Sequence, residues 1–335
     1  MVGAVSCSGK LAAIALLLLA AAGQARAAKP EDCRNIPDDG ARLKCYDRAV
    51  DAPLRRDEPE TAEETPPRLS LLSEIWDISS DETRRVLRIR SHRVNYFLPI
   101  RHSDAPDSTP MSPTMGTSAV DRVSPSEAKF QISIKTRILQ GLINDRLDIW
   151  AGYSQQAHWQ VYSDSSPFRE VNFEPEVMAL WRTGRDLPGG LTWRFVNFGL
   201  VHHSNGRGGA QSRSWNRVYA QFGLEYGDDL ALMVKPWWRV PEPRGTDNNP
   251  DMQDYWGRID ITGLARLGEH GLELTLRNNL RLDRNRGAFQ GSWYFPLHRG
   301  LKGYFQLFTG YGESLIDYNH VQTTLGLGVA VVDWM

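Results

Sequence analysis

The fold is decided by a strict alternation near the end of the chain, in Thr324-Leu325-Gly326-Leu327-Gly328-Val329-Ala330-Val331. Every second side chain in this stretch is a large aliphatic group, and the residues between them are small or polar. A period of two is typical of a β-strand with one apolar face, because successive strand residues point to opposite sides. The stretch therefore predicts a strand.

The same alternation recurs upstream, in three stretches that carry an apolar residue at every second position. They are Phe130-Gln131-Ile132-Ser133-Ile134-Lys135, Leu147-Asp148-Ile149-Trp150-Ala151-Gly152-Tyr153-Ser154 and Leu272-Glu273-Leu274-Thr275-Leu276-Arg277. No part of 85–335 shows a sustained helical period. At about 10 residues per membrane-crossing strand, and about as many again per connection, 85–335 holds roughly 12 strands.

Three features favour a membrane barrel over a soluble β-sandwich. The strands are long, and their second face carries Gly, Thr, Asn, Gln, Arg and Glu instead of a second apolar set. Aromatic residues also cluster near strand ends, as in the girdles of outer-membrane barrels. These aromatic residues are Trp237, Trp238, Tyr255, Trp256, Trp293 and Tyr294. We therefore expect an all-β fold, an antiparallel transmembrane β-barrel over 85–335.

Charge and hydropathy exclude two other classes of protein. The 335 residues include 39 Lys and Arg against 40 Asp and Glu, a formal net charge of −1. This balance gives no electrostatic basis for binding nucleic acid, which requires a basic face. After residue 30, no stretch approaches the about 18 apolar residues of a transmembrane helix. A helical membrane protein is therefore excluded as well.

The N-terminus predicts export through a signal peptide at 1–27. Lys10 precedes an apolar run over 11–22, and Ala25-Arg26-Ala27 is a small-x-small cleavage signal. A membrane anchor is the alternative, but the run is too short to span a bilayer comfortably. Cys7 precedes the apolar run, so it is removed with the signal and is not a lipid-attachment site.

Two cysteines, Cys33 and Cys45, remain after the signal is removed. In an exported chain, such a pair predicts a disulfide, here within a short periplasmic module at 28–50 that is too small to hold a core of its own. A metal site is a weaker alternative, since two thiols make half of a zinc site. The Pro- and Glu-rich segment that follows predicts a linker at 51–84.

The densest polar sequence lies where two predicted strands meet, in His202-His203-Ser204-Asn205-Gly206-Arg207 and Ser212-Arg213-Ser214-Trp215-Asn216-Arg217. By the period of two, His202 and Ser204 continue the apolar face of the strand before them, and Asn216 begins the apolar face of the next strand. Those apolar faces comprise Val196, Phe198 and Leu200, and Val218, Ala220, Phe222 and Leu224. In a barrel, this face contacts lipid, whereas His203 faces the lumen.

Polar groups that face hydrocarbon are costly and therefore indicate function. A Ser beside a His can be activated as a nucleophile, and an Asn can hold the imidazole through its side-chain oxygen. Backbone N–H groups in the turn at Asn205-Gly206 and at 208–209 can bind an oxyanion. The Arg207 carbonyl and the Ser212 hydroxyl are hard oxygen ligands suited to calcium.

Two alternatives remain open at this point of the argument. A porin-like channel, with an incidental His-x-Ser, predicts ion conductance without lipid turnover, although about 12 strands leave little room for a channel. A soluble secreted esterase on a β-sandwich predicts a protein that is recovered without detergent. The usual esterase signature Gly-x-Ser-x-Gly is absent around Ser204.

Taken together, the two polar motifs resemble the signature of the bacterial outer-membrane phospholipase A family. Further stretches that match the family are Ser165-Ser166-Pro167-Phe168-Arg169-Glu170, Val234-Lys235-Pro236-Trp237 and Gly310-Tyr311-Gly312-Glu313-Ser314-Leu315-Ile316-Asp317-Tyr318-Asn319. The resemblance covers 85–335. It implies a 12-stranded antiparallel barrel in the outer membrane. It also implies calcium-dependent hydrolysis of phospholipid and lysophospholipid acyl esters at either glycerol position, and activation by homodimerisation.

The resemblance also implies the roles of individual residues. Ser204 resembles the nucleophile, His202 the base and Asn216 the residue that orients the base, on a wall facing the outer leaflet. The Gly206 N–H would help to bind the oxyanion. The calcium ligands would be the Arg207 carbonyl, Ser212, Asn248 and Ser165 of the partner subunit, and Gln155 would lie in the dimer interface.

The sequence departs from the family pattern at three positions. His203 stands where the family often has Asp, and that side chain is not catalytic. Gly209 and Asn248 stand where the family has acidic calcium ligands. At the position of Asn248, either Asn248 or Asp247 is able to donate an oxygen to calcium.

Overall fold

The structure, a computed structural model, describes residues 33–51, 68–78, 86–119, 123–243, 245–298 and 301–332. The chain divides into two compact units, Met1–Pro67 and Arg68–Met335. The predicted signal peptide at 1–27 lies outside the described residues. Among the described residues, no helix combines the length and the apolar character needed to cross a membrane.

The first unit contains a disulfide between Cys33 and Cys45, which confirms the predicted pairing. Its helix α1 (Asp39–Asp51) follows Asp38, whose carboxylate accepts a hydrogen bond of 2.7 Å from the backbone N–H of Ala41. An Asp side chain in this position satisfies an N–H that the first turn of a helix leaves free. The disulfide ties Cys33 to the middle of α1. The outer bounds of the module, 28–50, stay a prediction.

The second unit is a closed antiparallel barrel. In the described residues, its sheet runs in the order β1-β5-β2-β15-β14-β13-β12-β11-β10-β9-β8-β7-β6, and a β5–β6 pairing closes the ring. Strand β1 pairs with β5 just beyond the part of β5 that pairs with β2, so β1 prolongs β2 and twelve strands form the wall. The predicted 12-stranded barrel is confirmed.

The strand bounds match the predicted alternating stretches. The strands are β1 (Ile89–Ser91), β2 (Asn95–Ser103), β3 (Met111–Ser112), β4 (Gly116–Thr117), β5 (Ser126–Gly141), β6 (Leu147–Trp159), β7 (Phe168–Leu187), β8 (Leu191–Ser204), β9 (Ser214–Tyr226), β10 (Leu230–Arg239), β11 (Ile259–Leu267), β12 (His270–Asn278), β13 (Gly287–His298), β14 (Leu301–Tyr311) and β15 (Val321–Val331). Strands β3 and β4 form a separate small hairpin in the connection between β2 and β5. Short helices are α2 (Leu71–Trp76), α3 (Leu142–Asp145) and α4 (Met252–Trp256).

The apolar side chains of the barrel point outward. Along β15, Leu325 and Leu327 are 50% and 53% exposed, whereas Thr324 and Ala330 are buried. In a soluble protein, a sheet buries its apolar face, so this inverted pattern belongs to a barrel whose outer wall contacts lipid. The alternation predicted from the sequence is therefore present, with its apolar side on the outside.

The interior of the barrel is filled with charged side chains. Glu127 lies at the centre of one cluster and pairs with Arg101 at 3.0 Å and Arg169 at 3.0 Å. The connection between β14 and β15 folds into the barrel near this cluster, where Glu313 pairs with Lys129 at 2.9 Å. Buried charges are stable when they are paired in this way. This occupied interior favours a barrel with a filled lumen over a barrel with an open pore.

The two ends of the barrel differ in the length of their connections. At one end, the strands are joined by short segments, at 142–146, 188–190, 227–229, 268–269 and 299–300. At the other end, the connections are long, at 104–125, 160–167, 205–213, 240–258, 279–286 and 312–320. Outer-membrane barrels have short periplasmic turns and longer extracellular loops. The long-loop end is therefore the extracellular end.

Helix α2 fills the barrel at its short-turn end. Its backbone begins with a 3.1 Å hydrogen bond from Leu71 N–H to the Asp228 carbonyl, and Glu74 pairs with Arg266 at 3.0 Å. Trp76 is buried against Phe195 at a ring distance of 5.3 Å, under the Lys135 ammonium at 3.6 Å. This helix lies within 51–84, the segment that the sequence predicts to be a linker. The helix is not predicted, because six residues are too few to show a helical period.

We expect Trp76→Ala to destabilise the barrel by about 3 kcal/mol, because it removes a large buried ring that its neighbours cannot replace. The measurement is urea-induced unfolding of the refolded chain in lipid vesicles, followed by circular dichroism. Leu282→Ala is the control, because Leu282 is fully exposed in a loop. Equal unfolding midpoints for the Trp76 variant and the unchanged chain would contradict this role of α2.

Candidate active site

The predicted site residues lie at the extracellular end of β8 and β9. These two strands pair in antiparallel register, with His202 opposite Asn216 and Ser204 opposite Ser214. Because both His202 and Ser204 belong to β8 and are two residues apart, their side chains leave the same face of the sheet. His202 is exposed, and Ser204 and Asn216 are partly exposed. The pair register therefore brings the three predicted residues to one patch of the outer wall.

A hydrogen bond of 2.8 Å joins Nδ1 of His202 to Oδ1 of Asn216. An amide oxygen only accepts hydrogen bonds, so Nδ1 carries the proton in this pair. This leaves Nε2 of His202 unprotonated in the neutral ring and able to accept a proton. Within the described residues, Ser204 and His202 do not share a hydrogen bond. Their approach requires side-chain rotation, which is common in the absence of substrate.

The neighbouring His203 has a different environment. Its side chain points into the barrel, is buried, and accepts a hydrogen bond of 3.4 Å from the Trp215 indole N–H. Its ring also packs edge-on against Trp256 at 5.4 Å. His203 therefore faces the lumen, as the period of two predicts.

The loop at 205–213 is held in place by buried side chains. Asn205 is buried, and its Oδ1 accepts hydrogen bonds from the backbone N–H groups of Arg207 at 3.3 Å and Arg213 at 3.0 Å. The Arg207 guanidinium donates to Gln211 Oε1 at 2.5 Å and so closes the loop on itself. From the sequence, Asn205 is predicted only as a turn residue. In the structure, it fixes the segment that follows Ser204.

Gly206 has a φ of +64°, in the left-handed region that favours glycine. A Cβ atom added here would lie 3.3 Å from the ring of Phe173, so a larger residue would also crowd the outer wall. Within the described chain, the Gly206 N–H donates no hydrogen bond. A free N–H one turn beyond Ser204 is available to a ligand.

The candidate calcium ligands are only partly brought together. Asn248 Nδ2 lies 2.7 Å from Ser212 Oγ, so the loops after β8 and β10 meet at these two side chains. Asp247 instead pairs with Arg239 at 2.7 Å. Of the two alternatives, Asn248 is therefore the one that faces Ser212. Ser165 lies exposed in the loop at 160–167, and no contact joins it to Ser212 or Asn248 within the described chain.

The donor chemistry of this region suits calcium, which prefers uncharged and charged oxygen atoms without strict geometry. Hydroxyl, amide and carbonyl oxygens are present at Ser212, Asn248 and Arg207. Among the described residues, no cluster of three or more His, Cys, Asp or Glu side chains could hold a metal ion. Neutral ligands from one chain make a weak site, so further oxygens are needed to complete it.

Gln155 lies on the outer wall at the level of Ser204. In the strand register, Gln155 of β6 stands opposite Phe173 of β7, and Phe173 stands opposite Ser204 of β8. The Gln155 side chain accepts a hydrogen bond of 3.0 Å from the Tyr153 hydroxyl and is otherwise flanked by apolar residues such as Ile132. A polar amide on a lipid-facing wall is costly unless a partner satisfies it.

Sequence reasoning missed one acidic residue near the site, Glu242. Just beyond the end of β10, the Val240 N–H donates a 2.8 Å hydrogen bond to the Asn216 carbonyl, two residues before Glu242. Burial raises the pKa of Glu242, Asp247 adds to this rise, and the positive charges of Arg239 and His202 oppose it. Glu242 carries no motif and lies far from His202 in sequence, so no local pattern indicates it.

Fold and site together define an outer-membrane β-barrel with a candidate hydrolytic site on its lipid-facing wall. A family model described as Phospholipase A1 matches residues 72–331. The chain belongs to this phospholipase A1 family, whose members include outer-membrane phospholipase A, as the sequence resemblance predicted. It is therefore an outer-membrane protein and an ester hydrolase of the phospholipase class.

Relatives of known name agree with this assignment. The chain is 35% identical to the putative phospholipase A1 of Neisseria meningitidis serogroup B, over 90% of this chain and 80% of that protein. It is 36% identical to phospholipase A1 of Escherichia coli strain K12, over 62% of this chain and 70% of that protein. The longer match includes much of the N-terminal region as well as the barrel.

Solved structures agree as well. Outer membrane phospholipase A from Escherichia coli superimposes with a TM-score of 0.68 at 30% identity, covering 80% of this chain and all of that chain. A Salmonella typhi outer membrane phospholipase, described as a dimer with bound calcium, gives a TM-score of 0.67 at 29% identity, covering 79% and 98%.

Proposed function

We propose that this protein hydrolyses the acyl esters of membrane phospholipids with a Ser204-His202-Asn216 triad on its outer wall, in the outer leaflet. The observation that carries the proposal is the 2.8 Å hydrogen bond between His202 Nδ1 and Asn216 Oδ1, beside a Ser on the same strand face. The position of the triad at the long-loop end supports a site in the outer leaflet. Its outward direction supports a substrate that arrives through the membrane.

In this mechanism, His202 Nε2 takes the proton of the Ser204 hydroxyl as Oγ attacks the acyl carbon. Asn216 holds the imidazole in the tautomer that leaves Nε2 free. The ester C–O bond then breaks, and the glycerol oxygen of the substrate leaves with the proton from His202. Water hydrolyses the acyl-enzyme in the same way, and the fatty acid is released. The Gly206 N–H is placed to donate to the oxyanion, and a neutral triad member makes such stabilisation more important.

The outer wall below the triad is suited to acyl chains. Phe198 and Leu200 precede the triad on β8 and are 56% and 55% exposed. These two side chains lie on the part of the wall where lipid tails contact a barrel. A phospholipid can therefore approach with its acyl chains against the wall and its ester groups near Ser204. This arrangement favours hydrolysis at both glycerol positions and of lysophospholipids, because an open wall formed by residues such as Phe198 and Leu200 does not select one acyl chain.

We further propose that calcium and a second copy of the chain complete the site. Ser212, Asn248 and the Arg207 carbonyl would hold the ion together with Ser165 of the partner subunit. Bound calcium supplies positive charge beside the developing oxyanion. The outward Gln155, at the level of Ser204, would find its hydrogen-bond partner across the dimer interface. A site completed between two subunits keeps an isolated subunit inactive and protects the host membrane.

The direct test is fatty-acid release from a phospholipid with different acyl chains at its two glycerol positions, in detergent micelles with calcium. We expect both fatty acids to appear, and added lysophospholipid to be consumed. Release of one acid alone, with no further hydrolysis of the lysophospholipid, would restrict the activity to one position. No release of either acid would contradict the proposed function.

A further inference from the structure

The small hairpin of β3 and β4 contacts loops that are distant from it in the ring of strands. It belongs to the connection at 104–125, between β2 and β5, and the strands β5, β6 and β7 separate β2 from β8. A 3.0 Å hydrogen bond from the Ser118 N–H to the Pro110 carbonyl closes the hairpin. Asn319, in the connection between β14 and β15, donates a 3.2 Å hydrogen bond to the Met111 carbonyl. The hairpin is therefore held at both its base and its side.

The hairpin contacts the loop after β10 at two consecutive residues. The Thr114 hydroxyl donates a 3.0 Å hydrogen bond to the Asp247 carbonyl. The Ser112 hydroxyl is buried and donates a hydrogen bond to the Asn248 carbonyl. Two successive carbonyl groups of this loop are therefore held by side chains of the hairpin.

The hairpin also contacts the loop after β8. The Gln211 amide donates a 3.0 Å hydrogen bond to the Ser118 hydroxyl, and its oxygen accepts one of 2.5 Å from the Arg207 guanidinium. The Asn248 amide in turn donates a 2.7 Å hydrogen bond to the hydroxyl of Ser212, the residue next to Gln211. These contacts form a closed circuit that passes from the hairpin through one loop to the other loop and back.

The calcium ligands that this chain would supply are all uncharged. They are the Arg207 carbonyl, the Ser212 hydroxyl and the side chain of Asn248. Calcium affinity depends on the charge of the ligands and on the rigidity of the site, and here the ligands contribute no charge. A loop that is already ordered loses less conformational freedom when the ion binds. Contacts that order the two loops beforehand therefore have a large share in the affinity.

We propose that this hairpin is a clamp on the two loops that supply the calcium ligands, with Thr114 and Ser118 as positioning residues. The inference rests on the proposed function, in which both loops hold the ion. Thr114 acts through the carbonyl group of Asp247, and Ser118 acts through the side chain of Gln211. The clamp keeps the two loops at one spacing, so it strengthens calcium binding without contacting the ion.

The test is calcium binding by Thr114→Val, which keeps the shape of the side chain and loses the hydroxyl. Equilibrium dialysis with radioactive calcium measures Kd without substrate, in detergent, at a protein concentration where crosslinking shows the dimer. We expect Kd to rise about fivefold, because a hydrogen bond that orders the loop is lost. Ser118→Ala should raise Kd by a similar factor. The double variant should raise it by about tenfold or more, since both contacts belong to one circuit.

Fatty-acid release separates a positioning role from a general loss of structure. The calcium concentration that gives half of the maximal rate should rise with Kd in each variant. At saturating calcium, kcat should equal that of the unchanged chain, because the triad is intact and the ion is then bound.

The matched control is Thr117→Val, the same chemical change in the same hairpin. Thr117 is exposed, and within the described chain its hydroxyl donates no hydrogen bond to the loops after β8 and β10. This variant should therefore bind calcium as the unchanged chain does. Circular dichroism and the heat resistance of the barrel in gel electrophoresis check that every variant is folded.

Three outcomes would overturn the clamp and leave the proposed function in place. They are an unchanged Kd in the double variant, an equal rise of Kd in Thr117→Val, and a fall of kcat that saturating calcium does not restore. In each case, the unchanged chain still binds calcium and Ser204→Ala is still inactive. If the unchanged chain binds no calcium, the proposed metal role fails and the clamp fails with it. If Ser204→Ala stays active, the triad itself is wrong.

Discussion

Replacement of Ser204 by Ala abolishes phospholipid hydrolysis while the barrel remains folded. We expect kcat to fall by about 10⁴-fold or more, because the nucleophile of a triad has no substitute and the remaining residues act only through it. The side chain is partly exposed, and its hydroxyl forms no hydrogen bond to the described residues. Loss of the hydroxyl therefore removes chemistry and leaves structure.

The matched control is Ser214→Ala. Ser214 lies directly opposite Ser204 in the strand register, at the same level of the wall and with similar partial exposure. Its variant loses the same atom from the neighbouring strand, so we expect it to keep nearly full activity. Fatty-acid release measures the chemistry, and the heat resistance of the barrel in gel electrophoresis measures the fold. Retained hydrolysis by Ser204→Ala, or an equal loss in both variants, would end the assignment of Ser204.

Most of the barrel could be predicted from the sequence, because a membrane wall imposes the same alternation on every strand. Leu325 and Leu327 face outward for the same reason as Leu274 and Leu276, which are each 49% exposed. Period two is a local property, so it is readable in a single sequence. The side of the wall reached by His202 and Ser204 follows from the same count.

What could not be predicted depends on contacts between distant parts of the chain. Helix α2 is too short to show a period, and its burial depends on partners such as Phe195 and Arg266. The preference for Asn248 over Asp247 depends on Arg239, which pairs with Asp247 across the loop. Such relations need coordinates, because no local pattern encodes them.

Removal of calcium is expected to abolish hydrolysis, and loss of the Ser165 hydroxyl of the partner subunit is expected to weaken calcium binding. With EDTA, we expect hydrolysis to fall by about 100-fold or more, since the neutral triad depends on oxyanion stabilisation. Ser165→Ala should require more calcium for half-maximal activity, because each site would lose the hydroxyl of the partner subunit. Titration with calcium, followed by fatty-acid release, measures this shift. Activity of the unchanged chain that is insensitive to EDTA would remove the proposed metal role.

Mixing two inactive variants tests whether the site is shared between subunits. A Ser204→Ala chain lacks the nucleophile, and at limiting calcium a Ser165→Ala chain lacks a ligand for its partner. In a heterodimer of the two, the Ser165→Ala subunit keeps its own Ser204 and receives an intact Ser165 from the other subunit. Random pairing makes half of the dimers mixed, with one complete site of two, so about one quarter of full activity should return. If Ser165 served its own subunit, mixing would restore nothing, and the sum of the two separate activities would be measured.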